Sequence, residues 1–466
     1  MHTRTLPPLR RVRQKTATLG VVRQRCGLLL AALLLACGSV LAPEGLLAKE
    51  VELYRWTDFP IEAPGAAAGI EKWDVEGSCL WTHEDGAAER TSLVWYSGSG
   101  DTYVYRFGAS LPGWWRGVTR SPVAALDGLE LSVEVVPSSN PRRTGWSGQR
   151  PGEPTAWARQ QGPKGELVRR IPILIMMPDV REWHDDPAAM RSFVAEFHDH
   201  HGFNGGHIST IGRSWFEVDS TDHLRTAPQV PDVRTFAALE AAAAEWSERG
   251  GWLHLWMWGK GGSGDFSNLP GGYDGAESRR LNRYVAARLG PVPGWSMGIG
   301  WDVEFWADEA KIRWWLDDLT AQLGGWHHWI GVRYSDSDIG QGIDPEPANR
   351  GEYLARGIAW NTIRPGHEQY AGWEHWSTLT SDEAIEAGLA AIPDRPMMSE
   401  DRFRRRDGAW PQKDMHSDDD ILEEIPRWAG RGVAAIYGRL IEGRGGGSDV
   451  WPNKDAIQAV IADIED

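Results

Sequence analysis

Glu304 and Glu400 each close a short apolar run just before polar, loop-like sequence: Trp295-Ser-Met-Gly-Ile-Gly-Trp-Asp-Val-Glu304 and Arg395-Pro-Met-Met-Ser-Glu400. If both runs are strands of one parallel α/β barrel, both carboxylates reach its C-terminal rim, where barrels carry their chemistry. Two carboxylates there are equipped to cleave a glycosidic bond. One, kept protonated by burial or by a neighbouring charge, donates to the leaving oxygen. The other stays ionised and attacks the anomeric carbon; a separation of about 5–5.5 Å retains configuration, and about 6.5–9.5 Å admits water and inverts it.

Alternation along the first run supports this placement. Met297, Ile299, Trp301 and Val303 form one face, suited to packing under helices; Gly298, Gly300, Asp302 and Glu304 form the other. Successive strand residues point to opposite faces, so Asp302 and Glu304 are expected to point inward above two glycines. Other predicted strand ends supply candidate sugar-binding groups: His207 on the second, His254, Trp256 and Trp258 on the third, Arg333 and Tyr334 on the fifth, and Glu374, His375 and Trp376 on the sixth. Arg402 lies in Asp401-Arg-Phe-Arg-Arg-Arg406, directly after Glu400. Guanidinium groups there suit a carboxylate or sulfate on the sugar. The same run also reads as a solvated loop paired with Asp407 and Asp414.

The elements that must position these residues follow from periodicity. Strands are predicted at 171–177, 203–209, 252–258, 295–304, 329–334, 369–376, 395–400 and 433–440. Helical patterns lie between most of them, at 187–201, 232–249, 276–289, 308–323, 381–391 and 418–429, with 353–359 as the candidate after the fifth strand and 456–464 closing the chain. This alternation predicts an α/β fold, a (β/α)8 TIM barrel over residues 171–466. Residues 49–136 read differently, as short alternating strands separated by Glu84-Asp-Gly86, Ser97-Gly-Ser-Gly100, Leu111-Pro-Gly113 and Leu126-Asp-Gly128. They predict a small antiparallel β-sandwich domain before the barrel. Residues 137–170 then read as a linker or extended loop, being rich in Pro, Gly, Arg and Ser through 166.

Residues 1–48 read as an export signal. Arg4, Arg10, Arg11, Arg13, Lys15, Arg23 and Arg25 precede an apolar run from Gly27 to Ala36. That order of basic then apolar sequence is the secretory pattern, and the run is too short to span a bilayer. Leu34-Leu35-Ala36-Cys37 is a candidate lipidation motif, making Cys37 a candidate lipid anchor; cleavage after Ala48 is the alternative. The expected destination is the periplasm, the cell surface or the medium. The full chain carries −16, and removing seven basic residues and one acidic residue within 1–48 leaves about −22. Such a charge argues against nucleic acid or an anionic membrane as partner. Without Cys37 only Cys79 surely remains, so no internal disulfide is expected. There are 27 Trp against 10 Tyr and 10 Phe, and indoles serve either a core or the C–H faces of sugars. Asp336-Ser-Asp-Ile-Gly340 lacks the spacing of a calcium loop. No phosphate loop, dinucleotide fingerprint or zinc cluster is visible, so no cofactor and no metal are expected.

The residues carry a resemblance. Gly300-Trp-Asp-Val-Glu304 on the fourth strand and Ser399-Glu400 on the seventh resemble the acid/base and nucleophile strands of the GH-A clan of retaining glycoside hydrolases. Trp81-Thr-His-Glu-Asp-Gly86, Trp95-Tyr-Ser-Gly98 and Tyr105-Arg-Phe107 with Leu111-Pro-Gly-Trp114 are similar to a β-sandwich module found before such barrels in bacterial polysaccharide-degrading enzymes. The resemblance implies Glu304 as acid/base, Glu400 as nucleophile and a carbohydrate substrate. It departs at Val303, where the clan carries Asn for the sugar 2-hydroxyl; Asp302 could take that role or itself be the acid. An inverting hydrolase using Asp302 or Glu374 as base, and a catalytically silent carbohydrate-binding protein, are the alternatives. Oligomeric state is not legible.

Overall fold

Apolar–polar alternation between residues 47 and 136 resolves into eight strands: β1 (Leu47–Glu52), β2 (Trp56–Glu62), β3 (Ser78–His83), β4 (Glu89–Leu93), β5 (Trp95–Tyr96), β6 (Thr102–Gly108), β7 (Gly113–Arg120) and β8 (Glu130–Val136). The computed structural model describes residues 47–208, 212–217, 229–259, 266–300, 306–307, 309–334, 371–373, 396–403, 425–437 and 453–465, with the backbone alone at 332–334, 371–373 and 399–403. One sheet runs β1-β8-β7-β3-β4 and a second runs β2-β6-β5. Only β1 pairs in parallel, with β8; the other pairs are antiparallel. The two sheets share one core, in which the Phe107 ring packs against Trp81 at 4.8 Å and Trp115 at 5.2 Å. The Trp81 indole N–H donates to Ser92 Oγ at 2.8 Å, which satisfies its one polar atom. β7 is not among the runs noted in the sequence, because Leu111-Pro-Gly113 reads as a turn. Its odd positions Trp115, Gly117 and Thr119 nevertheless alternate strictly with Trp114, Arg116 and Val118. Cys79 is buried in this core, and burial raises its thiol pKa.

The stretch expected to be a linker or loop contains a hairpin, β9 (Ala158–Gln161) with β10 (Glu166–Arg169). Its polar composition conceals two buried anchors. Trp157 packs edge-on against Trp252 at 5.5 Å and Trp329 at 6.0 Å, and its N–H donates to Met397 O at 2.8 Å. Arg159 is fully buried; it donates to the carbonyls of Gly145 and Gly251 and lies 5.0 Å over the Trp252 ring. Trp252 and Met397 begin strands of the parallel sheet described next, so the hairpin covers the N-terminal end of that sheet. Burial pushes the Arg159 guanidinium down to about 9.

Eight parallel strands follow: β11 (Ile173–Met177), β12 (Gly205–Ile208), β13 (Trp252–Trp258), β14 (Trp295–Gly300), β15 (Ile330–Tyr334), β16 (Ala371–Trp373), β17 (Met397–Phe403) and β18 (Val433–Tyr437). Each bonds to the next, and β18 returns to β11. Helices α1 (Pro187–Ala195), α2 (Val233–Glu248), α3 (Ala276–Leu289), α4 (Glu309–Gln322) and α5 (Lys454–Glu465) accompany them. The sequence dictates α2 locally. Asp232 caps it by accepting from Arg234 N, an alanine-rich centre favours helix, and Phe236, Leu239, Ala243 and Trp246 form the buried stripe. The helices expected at 353–359 and 381–391 lie outside the described residues. β14 ends at Gly300, four residues before Glu304.

The N-terminal sheets and the parallel strands belong to one compact unit, Leu47–Asp466. Arg106 of β6 is bidentate to Asp58 at 2.6 and 2.8 Å and also donates to Glu240 of α2 at 2.7 Å. Arg280 of α3 is bidentate to Asp74 at 2.8 Å on both arms. Contact at the loop after α4 is backbone-close: Thr91 N donates to Gly324 O at 2.8 Å. Gly324 has φ +66°, and a Cβ there would lie 1.8 Å from Thr91 O, so only glycine fits.

Candidate active site

Strand register builds the inner surface of the parallel sheet. His207 of β12 pairs with His254 of β13, and His254 pairs with Ser296 of β14. Partners in adjacent strands share a face, and the side chains meet accordingly. The two imidazoles stack at 4.9 Å with 22° between planes, and His254 Nδ1 hydrogen-bonds Ser296 Oγ at 3.1 Å. Trp256 approaches His207 edge-on at 4.4 Å. All three rings are buried. Trp256 faces Gly298 across the ladder, and Gly298 faces Gly331, so the two paired positions beyond the indole carry no side chain. The opposite face behaves as expected: Trp315 of α4 donates to Met257 Sδ at 3.0 Å, and Leu253 and Leu255 are core.

Trp258 does not join Trp256. It stacks on Phe266 at 5.5 Å and lies 6.3 Å from Phe216, within the core. Phe266 in turn meets Trp306 edge-on at 5.5 Å, two residues beyond Glu304. At the end of β14, Gly300 has φ +150°, and a Cβ there would sit 2.1 Å from Trp258 O. Close approach of β13 and β14 therefore requires glycine at this last described residue of β14.

Glu304, Asp302, Glu374, His375 and Trp376 lie outside the described residues. Glu400 and Arg402 fall in β17, where the register with β18 shifts between Ser399 and Phe403. Such irregularities are common at barrel rims and beside active sites. Arg333 and Tyr334 end β15, pairing with Gly372 and Trp373. Among the described residues, no group of three or more His, Cys, Asp or Glu is placed to hold a metal ion, and no helix is long and apolar enough to cross a membrane.

Two polar groups escaped the sequence reading. Ser296 lies on the same strand face as Gly298, and that parity was its signal. Asp179 follows β11 at Pro178-Asp179, two residues past the end of the strand. It accepts from Arg181 N at 3.0 Å and from Ser214 Oγ at 3.3 Å, while Arg181 donates to Arg213 O at 2.9 Å. These bonds tie the turns after the first two parallel strands together. Burial lowers the Arg181 pKa, and Arg213 and Arg234 lower it further.

No family model matches the chain, and no curated protein matches it. Among solved structures, it is similar to a protein from Bacteroides vulgatus ATCC 8482 provisionally described as a glycoside hydrolase: 15% identity, TM-score 0.62, covering 89% of this chain and 77% of the other. A glycoside hydrolase family 5 structure from the same organism aligns at 11% identity and TM-score 0.42 over 68% of each chain. An endo-1,4-beta-mannanase from Rhizomucor miehei aligns at 11% identity and TM-score 0.41, over 66% of this chain and 96% of its own. At such identities the first likeness shows a shared fold, and the other two carry no weight.

Proposed function

We propose that the chain is an exported glycoside hydrolase that cleaves glycosidic bonds in a poly- or oligosaccharide by a retaining, two-carboxylate mechanism. The observation that carries the reading is topological. β14 and β17 run parallel, so their C-terminal ends open on one rim, with Glu304 four residues past β14 and Glu400 in the irregular end of β17. The fold shared with the Bacteroides vulgatus structure supports the same reading. In this proposal the parallel strands form a (β/α)8 barrel and the N-terminal sheets a sandwich module. Glu304 protonates the leaving oxygen, and Glu400 attacks the anomeric carbon to form a glycosyl-enzyme that water then hydrolyses. Trp256 and the His207–His254 pair form the apolar and polar floor beneath. Arg402, Arg333, Tyr334, Asp302 and the residues 374–376 contact the sugar, with Arg402 holding an anionic substituent where one is present.

Product release from a panel of neutral and anionic polysaccharides tests this, with wild type, Glu400→Gln and Glu304→Gln side by side. The reading expects release by wild type alone. A Glu400→Gln variant with near-wild-type rate would remove the mechanism, and a rate on anionic substrate indifferent to salt would remove the role of Arg402. Mass spectrometry of the mature N-terminus tests export: a free Lys49 indicates cleavage after Ala48, and a lipidated Cys37 indicates an anchor.

A further inference from the structure

The outer face of the sheet β1-β8-β7-β3-β4 carries an anomaly. Among the described side chains the other tryptophans are buried or partly buried, yet Trp114 is 45% exposed. It sits on β7, directly across from Glu134 of β8. On the other side Glu84 N donates to Trp114 O at 2.9 Å, which sets Glu84 opposite it beyond the end of β3. Glu134 therefore stands beside the indole on one neighbouring strand, within reach of cross-strand contact. The Glu84 carboxylate turns instead toward Gly113 and His83: a Cβ on Gly113 would lie 2.5 Å from Glu84 Oε1 and 2.8 Å from His83 Nε2. Along the same face of β7 follow Arg116, ion-paired to Glu130 at 2.6 Å, and Val118, which pairs with the exposed Leu80.

We propose that this face binds a neutral glycan chain, with Trp114 as its stacking platform. An exposed indole offers a flat apolar surface to the C–H face of a pyranose. The Glu134 carboxylate on the neighbouring strand can accept hydrogen bonds from the ring hydroxyls. From Trp114 to Val118 the strand rises about 13 Å, room for two to three sugar units along a straight track. Charge chooses among occupants: Arg116 on the track is already paired with Glu130, Glu134 stands beside the indole, and the chain carries −16 overall, so a polyanionic glycan is repelled. A protein partner is a poorer fit, because the charged Arg116 rung separates Trp114 from the Leu80–Val118 pair and breaks the continuous apolar centre that such interfaces need. The site is separate from the parallel strands and holds whether or not they hydrolyse sugars.

Affinity electrophoresis of the full chain through gels containing soluble β-glucan, mannan, xylan or polygalacturonate tests it, beside Trp114→Ala, Trp114→Tyr and Glu134→Gln. At least one neutral polysaccharide should retard wild type. Trp114→Ala should bind it roughly tenfold or more weakly, Glu134→Gln should show a smaller loss, and Trp114→Tyr should recover part of the affinity because a ring remains. Unchanged melting temperatures establish that the variants fold. Equal retardation of Trp114→Ala and wild type, retardation by polygalacturonate alone, or no retardation at all would each overturn the proposal. Hydrolysis of short soluble oligosaccharides, measured on the same variants, should be unaffected by Trp114→Ala. Loss of binding with retained turnover separates this site from the catalytic reading, and failure of turnover with retained binding leaves this site standing.

Discussion

The Arg106 guanidinium, on a strand of the N-terminal sheets, donates to the Glu240 carboxylate, on a helix beside the parallel strands, at 2.7 Å. Neither is freely solvated: side-chain exposure is 2% for Arg106 and 13% for Glu240. Burial alone would lower the arginine pKa, but Glu240 and Asp58 outweigh it and hold it above the usual range. Burial alone would raise Glu240, but Arg106 and Arg288 hold it below. Both cations lie over the Trp95 ring, Arg106 at 5.3 Å and Arg288 at 4.7 Å. The two parts of the chain are thus joined through desolvated charge.

Removing one partner of such a pair strands the other. Arg106→Leu or Glu240→Gln should each cost about 3–5 kcal/mol in urea denaturation, and the double variant clearly less than the sum. Because the folded pKa of Glu240 is depressed, its contribution is present above the unfolded value, about 4.3, and is lost as pH falls through the folded value. Glu240→Gln should therefore flatten the acid limb of the stability curve; an unchanged limb would show that the pair is not coupled to folding.

The buried His254–Ser296 bond makes a second prediction. His254→Phe keeps a ring against His207 but leaves the serine without that partner, and should cost about 1–2 kcal/mol. Ser296→Ala should cost a similar amount, with coupling on the order of 1 kcal/mol in a double-mutant cycle. Additive losses would mean that the hydrogen bond contributes nothing.

Gly300→Ala would place a methyl against Trp258 O. The strand ends must separate, at about 1–3 kcal/mol. On the catalytic reading proposed above, turnover should then fall more than thermal stability does, because Glu304 follows Gly300 by only four residues. A variant with wild-type kinetics would show that the close approach is dispensable.

His83 predicts a pH dependence of opposite sign. Its Nδ1 meets Asp85 Oδ1 at 2.7 Å and its Nε2 meets Pro112 O at 2.9 Å, two acceptors that together require the protonated ring. Burial alone would push its pKa down, but Asp85 and the Pro112 carbonyl outweigh it, and the pKa is raised. The contribution is then complete below about pH 6.5, the unfolded value, and is lost as pH rises through the folded value. His83→Gln should remove this loss of stability on the alkaline side. Thermal melts of both forms from pH 5 to about pH 9 measure it, and parallel curves would exclude the clamp.

Much of this was legible in the residues themselves. Alternation in Trp252–Trp258 separates Leu253, Leu255 and Met257 from His254 and Trp256, and the structure keeps that separation. Local chemistry also marks α2, because cap, propensity and stripe agree within one segment. Other features needed the tertiary structure because they join residues far apart in the chain. Parity cannot tell that Trp258 stacks on Phe266 instead of lying beside Trp256, since a strand's last residue takes its neighbours from the loops around it. Arg106 stands in the sequence as part of a hairpin motif; its bond to Glu240, 134 positions away, exists only once sheet and helix are packed. Trp157 and Arg159 look like parts of a polar linker until the first residues of the parallel strands converge and leave an apolar end to cover. Sequence periodicity determines which face a residue takes, because that is set by backbone geometry within a few residues. What the face meets is decided by packing across the whole chain.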